Sequence, residues 1–265
     1  MAETPDTRRT ELRQAAEQYL ENCAEYTSPF EREKLINNWI EKDRVAQGVV
    51  DDFRKRVGDP KGSRMLDFGF GNAQFAIAFA QAGAQVDGLE VNQTLLDLAQ
   101  ENAATQGVNV NLRLYDGRIF PYADNAFDYA YSLAVFEHVS DFRLALSEVA
   151  RVLKPGGKFY LAYPNRIALR ETHTGIWFVN YLPRKLAHFL MQRFMHSNAI
   201  EELNLHFRSY FTLTRALPGI PLRIVPEYDG TTKVRWMFKR VLGVFGIHFS
   251  AVLTTVMVVL EKSAP

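Results

Sequence analysis

An α/β fold with a mostly parallel sheet is what this sequence of 265 residues predicts, and three observations predict it. Between Arg64 and Asn165 short apolar runs alternate with stretches of helical spacing, the pattern of strands joined by helices. Turn residues mark the junctions, above all Gly69-Phe70-Gly71 after the first run and Lys154-Pro155-Gly156-Gly157 before the last. Crossovers of this kind are right-handed, so the carboxyl ends of the strands should meet at one sheet edge, where ligands bind. With 47% hydrophobic residues the chain can bury a full core, and its length suits one α/β domain with an inserted cap.

Taken in order, Thr7 to Val57 reads as helical. Leu12, Ala16, Tyr19 and Leu20 share one face, Ser28-Pro29 marks a break, and a second amphipathic run goes from Phe30 to Val57. Gly58 to Gly62 is a linker, so residues 1–60 form an N-terminal helical segment. Strand one is Met65 to Phe68 and the next helix is Gln74 to Ala82. Glycine is needed between them because the chain must take dihedrals that a Cβ forbids while a ligand lies against bare backbone. The following helix start offers free N–H groups and partial positive charge.

Two details decide which nucleotide-like ligand fits. Asp67 stands two residues before the first glycine, and position 74, where a dinucleotide fingerprint places glycine, is Gln. A carboxylate there repels a pyrophosphate but suits an ammonium group. Glu90 closes the second run, Gln85 to Leu89, where a carboxylate can hold a ribose diol. The pair fits S-adenosylmethionine better than NAD.

Helix Gln93 to Gln106 follows, with Leu95, Leu96, Leu98 and Ala99 inward and Gly107 as its cap, and then strand three, Asn109 to Tyr115, ending in Asp116-Gly117. Strand four is Phe127 to Leu133, followed by a turn with Glu137-His138, a helix from Asp141 to Leu153, the proline–glycine turn and strand five, Lys158 to Tyr163. Arg166 to Glu202 is dense in aromatics and bases. A helix starting at Thr212 ends at Pro218-Gly219, strand six is Leu222 to Val225, an amphipathic helix spans Lys233 to Phe245, and Val252 to Leu260 is an antiparallel strand seven. Val241 to Leu260 has the length of a bilayer span of about 20 residues. Its Gly243, Gly246, Ser250, Thr254 and Thr255 and its β-branched second half favour helix plus strand instead.

A net charge of +1 gives no nucleic-acid signature. From Arg166 to Ser250, however, twelve Lys and Arg stand against five acids, a local +7 that leaves −6 for the rest. A basic, aromatic region on an acidic body points to an anionic substrate or a membrane surface. The single cysteine, Cys23, excludes an internal disulfide, and Met1 to Asp6 lacks the pattern of a signal peptide, so a reducing, cytoplasmic setting is expected, with peripheral membrane contact through the basic region.

Asp67-x-Gly69-x-Gly71 with Glu90 downstream resembles motif I of the class I S-adenosylmethionine-dependent methyltransferases. The order from Phe120 to Asn165 resembles the subfamily that includes the ubiquinone and menaquinone biosynthesis enzymes. The resemblance implies a Rossmann-like seven-stranded sheet, mostly parallel with an antiparallel last strand. It also implies an N-terminal lid (1–60), a cofactor-binding core (61–165), a substrate cap inserted after strand five (166–205) and a C-terminal part of the core (206–265).

Carried onto this chain, the cofactor contacts are Asp67, Gly69, Phe70, Gly71 and Asn72 at the first turn, Glu90 and Val91 at the second, Asp116 and Gly117 at the third, and Ser132 on strand four. Acceptor contacts are Asn165, His173, Trp177 and Tyr181, with His206, Arg208 and Tyr210 before the next helix. His138 is the candidate base, titrating near neutrality, with Glu137 beside it as support. Some relatives carry Glu-x-x-Glu-His at this turn and bind a divalent metal. Here Ala134 replaces the first acid and no third ligand stands nearby, so metal-independent, in-line transfer to an oxygen, nitrogen or carbon of a small or lipid-like, anionic or neutral acceptor is expected.

Three rival readings stand beside this one. An NAD-linked oxidoreductase is opposed by Asp67 and Gln74. An RNA or protein methylase lacks an added binding domain and an Asn/Asp-Pro-Pro-Tyr/Phe-type motif after strand four. A catalytically silent scaffold would bind the cofactor without turnover.

Overall fold

In the computed structural model the described residues are Thr10, Arg13, Gln14, Glu17 and the ranges 29–195, 199–226, 240–244 and 248–264. The first elements are α1 (Pro29–Arg56), β1 (Arg64–Phe68), α2 (Gln74–Gln81), β2 (Gln85–Glu90), α3 (Gln93–Thr105) and β3 (Asn111–Leu114). Then come β4 (Phe127–Leu133), α4 (Phe142–Val152), β5 (Leu153–Pro164), α5 (Arg184–Met195), α6 (Ala199–Glu202), α7 (Tyr210–Ala216), β6 (Leu222–Ile224) and β7 (Thr255–Lys262). The sheet runs β3-β2-β1-β4-β5-β7-β6. The chain divides into two compact units, residues 1–54 with 58–121 and residues 55–57 with 122–265.

In the first unit β1, β2 and β3 are parallel, with Asp67 opposite Gly88 and Gly88 opposite Leu112. Helix α1 buries Ile36, Ala46, Val50 and Phe53 at the three- and four-residue spacing of one face, and Phe53 packs edge-on against Phe79 of α2 at 5.0 Å. Helix α3 starts on Asn92, whose side chain accepts from the Leu95 N–H at 3.2 Å, and turns Leu96, Ala99 and Ala103 fully inward. Leu95 and Leu98, expected to join them, are only half-buried.

Gly88 sits where no side chain fits. A Cβ there would stand 2.6 Å from Phe70 and 2.7 Å from Leu112, both on packed side chains. Gly88→Ala is therefore expected to cost about 1–3 kcal/mol in a urea melt and, by displacing Phe70, to loosen the glycine turn. An unchanged midpoint would show that the two side chains yield freely.

In the second unit β4 and β5 are parallel, and β7 runs antiparallel to both β5 and β6. The Lys154 to Gly157 turn, expected to precede strand five, is instead an outward bulge within β5. Leu153 pairs with Phe127, and pairing resumes at Lys158 with Tyr129. A Cβ on Gly157 would meet the carbonyl oxygens of Lys154 and Asp128 at 2.8 and 3.0 Å, and Lys154 closes the bulge on Asp128 at 2.7 Å. Helix α4 is capped by Asp141, which accepts from Leu144 N–H at 2.9 Å, and its buried face carries Leu146 and Val149. Helix α7 begins at Tyr210, two residues before the expected Thr212, because Ser209 and Thr212 form a reciprocal capping box. Residues 176–207 hold a small apolar cluster of their own, built on Val179, Ala187, Met191 and Ile200.

Among the described residues no helix is long and apolar enough to cross a membrane. Residues 240–244 are helical and β7 covers most of the expected last strand. Leu12, Ala16, Tyr19, Leu20, Cys23, the Ser28 break and most of the Lys233 to Phe245 helix lie outside the described residues.

Candidate active site

The predicted cofactor contacts from Asp67 to Gly117 come together in the first unit. Gly69 leaves β1 at φ 83° and donates its N–H to Leu89 O at 2.9 Å, and Gly71 follows at φ 55°. Asp67 and Glu90 are both buried, 2% and 9% exposed. Glu90 does more than the sequence suggests, because its carboxylate accepts from the N–H groups of Gly71 (3.2 Å), Val91 (2.8 Å) and Asn92 (3.3 Å) and so ties the end of β2 to the glycine turn. Asp116 accepts from Arg118 and Ile119 N–H, bonds that hold its carboxyl below the ordinary range and fix the turn in which Gly117 lies close to Val91. Phe70 is core, 3% exposed.

Sequence reasoning missed the role of Gln74. Its Oε1 accepts from Asn102 Nδ2 at 2.8 Å, and the same nitrogen reaches Asn72 O at 2.8 Å, so α2 and α3 are locked through the position that a dinucleotide fingerprint would give to glycine. Asn72 Nδ2 is buried with no hydrogen-bond partner among the described residues. A buried donor of this kind costs free energy until something accepts from it, and beside a glycine turn it fits a ligand carrying a carboxylate or hydroxyl oxygen.

Ser132 lies in the second unit, fully buried on β4 opposite Leu161. Past the end of that strand Ala134 takes φ 59°, and Glu137 and His138 follow. The turn is braced by the segment 203–208. Arg208 donates to the carbonyls of Phe136 (3.1 Å), Val139 and Ser140 while lying 4.7 Å over the Phe142 ring. Asn204 donates to His138 O and Ser140 Oγ, and His206 N–H to Glu137 O. The sequence reading took His206, Arg208 and Tyr210 as acceptor contacts and did not single out Asn204.

Four acceptor candidates prove to have structural duties. Arg208 is engaged as described. Asn165, 1% exposed, donates to Ser250 and Leu253 carbonyls. Tyr210 is buried and stacks on His248 at 5.6 Å. The Tyr181 hydroxyl donates to Ile167 O at 2.6 Å. Trp177 stands at the surface, 59% exposed. His173 and His206 line one small cavity with Glu137 and Glu171.

His173 supplies what the sequence lacked. Its Nε2 stands 3.7 Å from Glu137 Oε1, and His138 Nε2 stands 3.9 Å from the same oxygen. The expectation that no third ligand is near Glu137 and His138 therefore fails, because the chain after β5 brings His173 back to the turn. Both Glu137 oxygens are buried without a hydrogen-bond partner among the described residues, and burial pushes this carboxyl up to about 7 against the pull of His173. Burial, and then His173, hold His138 down at about 4, so the expectation that it titrates near neutrality is not met.

An acid raised from 4.5 to about 7 keeps its proton in the fold where the unfolded chain has lost it, so wild-type stability falls as pH rises through that window. Glu137→Gln is expected to stabilise the protein in EDTA at pH 8 by about 2–3 kcal/mol. The gain should vanish below pH 4.5, and a urea midpoint unchanged at pH 8 would mean the carboxylate is compensated.

Residues 66–161 match the family described as a methyltransferase domain. The ubiquinone biosynthesis O-methyltransferase of Sinorhizobium fredii is 28% identical over 61% of this chain and 67% of its own length. That of Coxiella burnetii is 33% identical over 40% of this chain and 45% of its own, so the chain spans two thirds of one relative and under half of the other. In fold the chain is similar to an S-adenosylmethionine dependent methyltransferase from Mesorhizobium loti, 20% identical over 83% of this chain and 100% of that one, with a TM-score of 0.57.

Proposed function

We propose that the protein, whose residues 66–161 match a methyltransferase domain, transfers a methyl group from S-adenosylmethionine to a hydroxyl oxygen of a small or lipid-like acceptor. The observation that carries the choice of oxygen is the buried Glu137 carboxyl flanked by two imidazole nitrogens. That cluster can take a proton.

The residues of the first unit fit the donor. Asp67 suits its ammonium, Asn72 Nδ2 an oxygen of its amino acid part, Glu90 the ribose diol, and Val91, Asp116 and Gly117 the adenine. The methyl group it supplies is already activated, and transfer releases one proton, because O–H is replaced by O–CH3 while S–CH3 is cut to a neutral thioether. Alignment does most of the work and is worth about 7–11 kcal/mol. His138 donates its Nδ1 proton to Leu203 O at 2.5 Å, since a carbonyl can only accept, and this leaves Nε2 basic on the side of Glu137. His138→Ala is expected to lower turnover by about 10²–10⁴-fold with donor affinity intact, and a near-normal rate would return it to a structural role.

The basic aromatic surface of the cap supports a lipid-like acceptor and contact with an anionic membrane. Phe189 and Phe194 are 57% and 70% exposed on α5, whose termini carry Arg184, Lys185 and Arg193. Flotation with anionic but not neutral vesicles would bear this out.

The reading is tested by calorimetric titration with S-adenosylmethionine, S-adenosylhomocysteine and NAD, followed by label transfer into hydroxylated aromatic and lipid acceptors. Micromolar binding of the first two alone, with label on an acceptor oxygen, supports it. Binding without transfer to any acceptor would favour the silent scaffold, and label on RNA or protein the other rival.

A further inference from the structure

We propose that Glu137, His138 and His173 form a binding site for one first-row divalent transition-metal ion. One donor atom from each residue lies within 4.8 Å of the others, and the Nε2 atoms of His173 and His138 stand 3.7 and 3.9 Å from Glu137 Oε1. Donors on a tetrahedral ion at 2.0–2.1 Å stand about 3.3 Å apart, so the two nitrogen–carboxylate separations need close by only about half an ångström. Glu137 is buried, 3% exposed, and its oxygens have no hydrogen-bond partner among the described residues, as expected of a ligand waiting for its ion.

The surroundings are arranged for the same purpose. His173 donates its Nδ1 proton to Glu171 at 2.9 Å, and Glu171 accepts again from Thr174 N–H at 2.5 Å. The Glu171 carboxylate takes both bonds as acceptor. His138 donates its Nδ1 proton to Leu203 O. Both imidazoles are thereby fixed in the tautomer whose Nε2 lone pair is available, the outer-shell pattern of histidines that bind metals.

Two nitrogens with one carboxylate select zinc, manganese, iron or cobalt over magnesium or calcium, which want oxygen. Three protein ligands leave coordination positions open to an acceptor oxygen. Glu137 and Glu171 together balance two positive charges. With the ion bound, His138 Nε2 would be a ligand and not the base, and the ion itself would acidify the acceptor hydroxyl; that role rests on the transfer reading above, whereas the binding itself does not.

The test uses the full chain stripped with EDTA and titrated with Zn²⁺ by calorimetry and with Co²⁺ by visible absorption, donor affinity being measured on the same samples. One equivalent bound in the micromolar range or tighter, with d–d bands of four- or five-coordinate cobalt, is expected. His173→Ala and Glu137→Gln should lose the ion, Glu171→Gln should weaken it about 10–100-fold, and His188→Ala, a cap histidine outside the cluster, should leave it unchanged. No stoichiometric binding, or binding indifferent to His173→Ala and Glu137→Gln in folded variants, overturns the proposal. Metal binding absent while donor affinity persists would sink this site alone, and loss of donor affinity in the wild type would sink the transfer reading.

Discussion

Gly69→Val is expected to abolish S-adenosylmethionine binding, by at least about 100-fold in calorimetry, in a protein that still folds. At φ 83° a β-branched side chain is strained by roughly 1–3 kcal/mol. The residue also donates to Leu89 O, so the turn cannot relax without breaking the β1–β2 edge. Whatever strain remains falls on Phe70 to Asn72, the segment that Glu90 holds from the other side. Asp67→Ala should lose affinity for a different reason, the removal of a buried carboxylate from the ammonium site, with a smaller change in melting temperature. Micromolar binding retained by both variants would remove the first unit's turn from the cofactor site.

Arg208→Ala is expected to destabilise the protein by about 2–4 kcal/mol and to silence it. Truncation strips donors from three carbonyls of one turn and a cation from the Phe142 face. Arg208→Lys should recover little, since an ammonium cannot reproduce the planar fork that spans Phe136, Val139 and Ser140. The measurement that separates turn positioning from a general loss of stability is donor affinity at a temperature where the variant is folded. It should be near wild type while turnover is lost. Full turnover in Arg208→Lys would show that charge, and not the fork, is what the turn needs.

Most of the fold was legible because its signals are local. Glycine turns, apolar runs and proline placed the strands and helices of 64–164 to within a single residue, with two exceptions. The exceptions were β3, which runs only Asn111–Leu114, and the β5 bulge, whose glycines read equally well as a turn until pairing with Phe127 and Tyr129 is known. The glycine turn was legible for the same local reason. The acceptor side was not, because its residues act at long range. Asn165, Arg208 and Tyr210 carry the polar and aromatic chemistry of pocket walls, yet their partners stand 38 to 88 positions away. His173 was picked out as a contact, but its nearness to Glu137 depends on how the chain after β5 returns, which no spacing encodes.

The bracing of the Glu137 turn by 203–208 has a consequence for how the enzyme comes into being. Every bond in that brace joins positions 64 to 72 apart, and a closure of that length is paid for only after the intervening chain is in place. The turn should be among the last parts to mature. In refolding, affinity for the methyl donor should return in an early kinetic phase and turnover in a later one, and a ribosome-bound chain ending before Leu203 would present a donor site but no working acceptor turn.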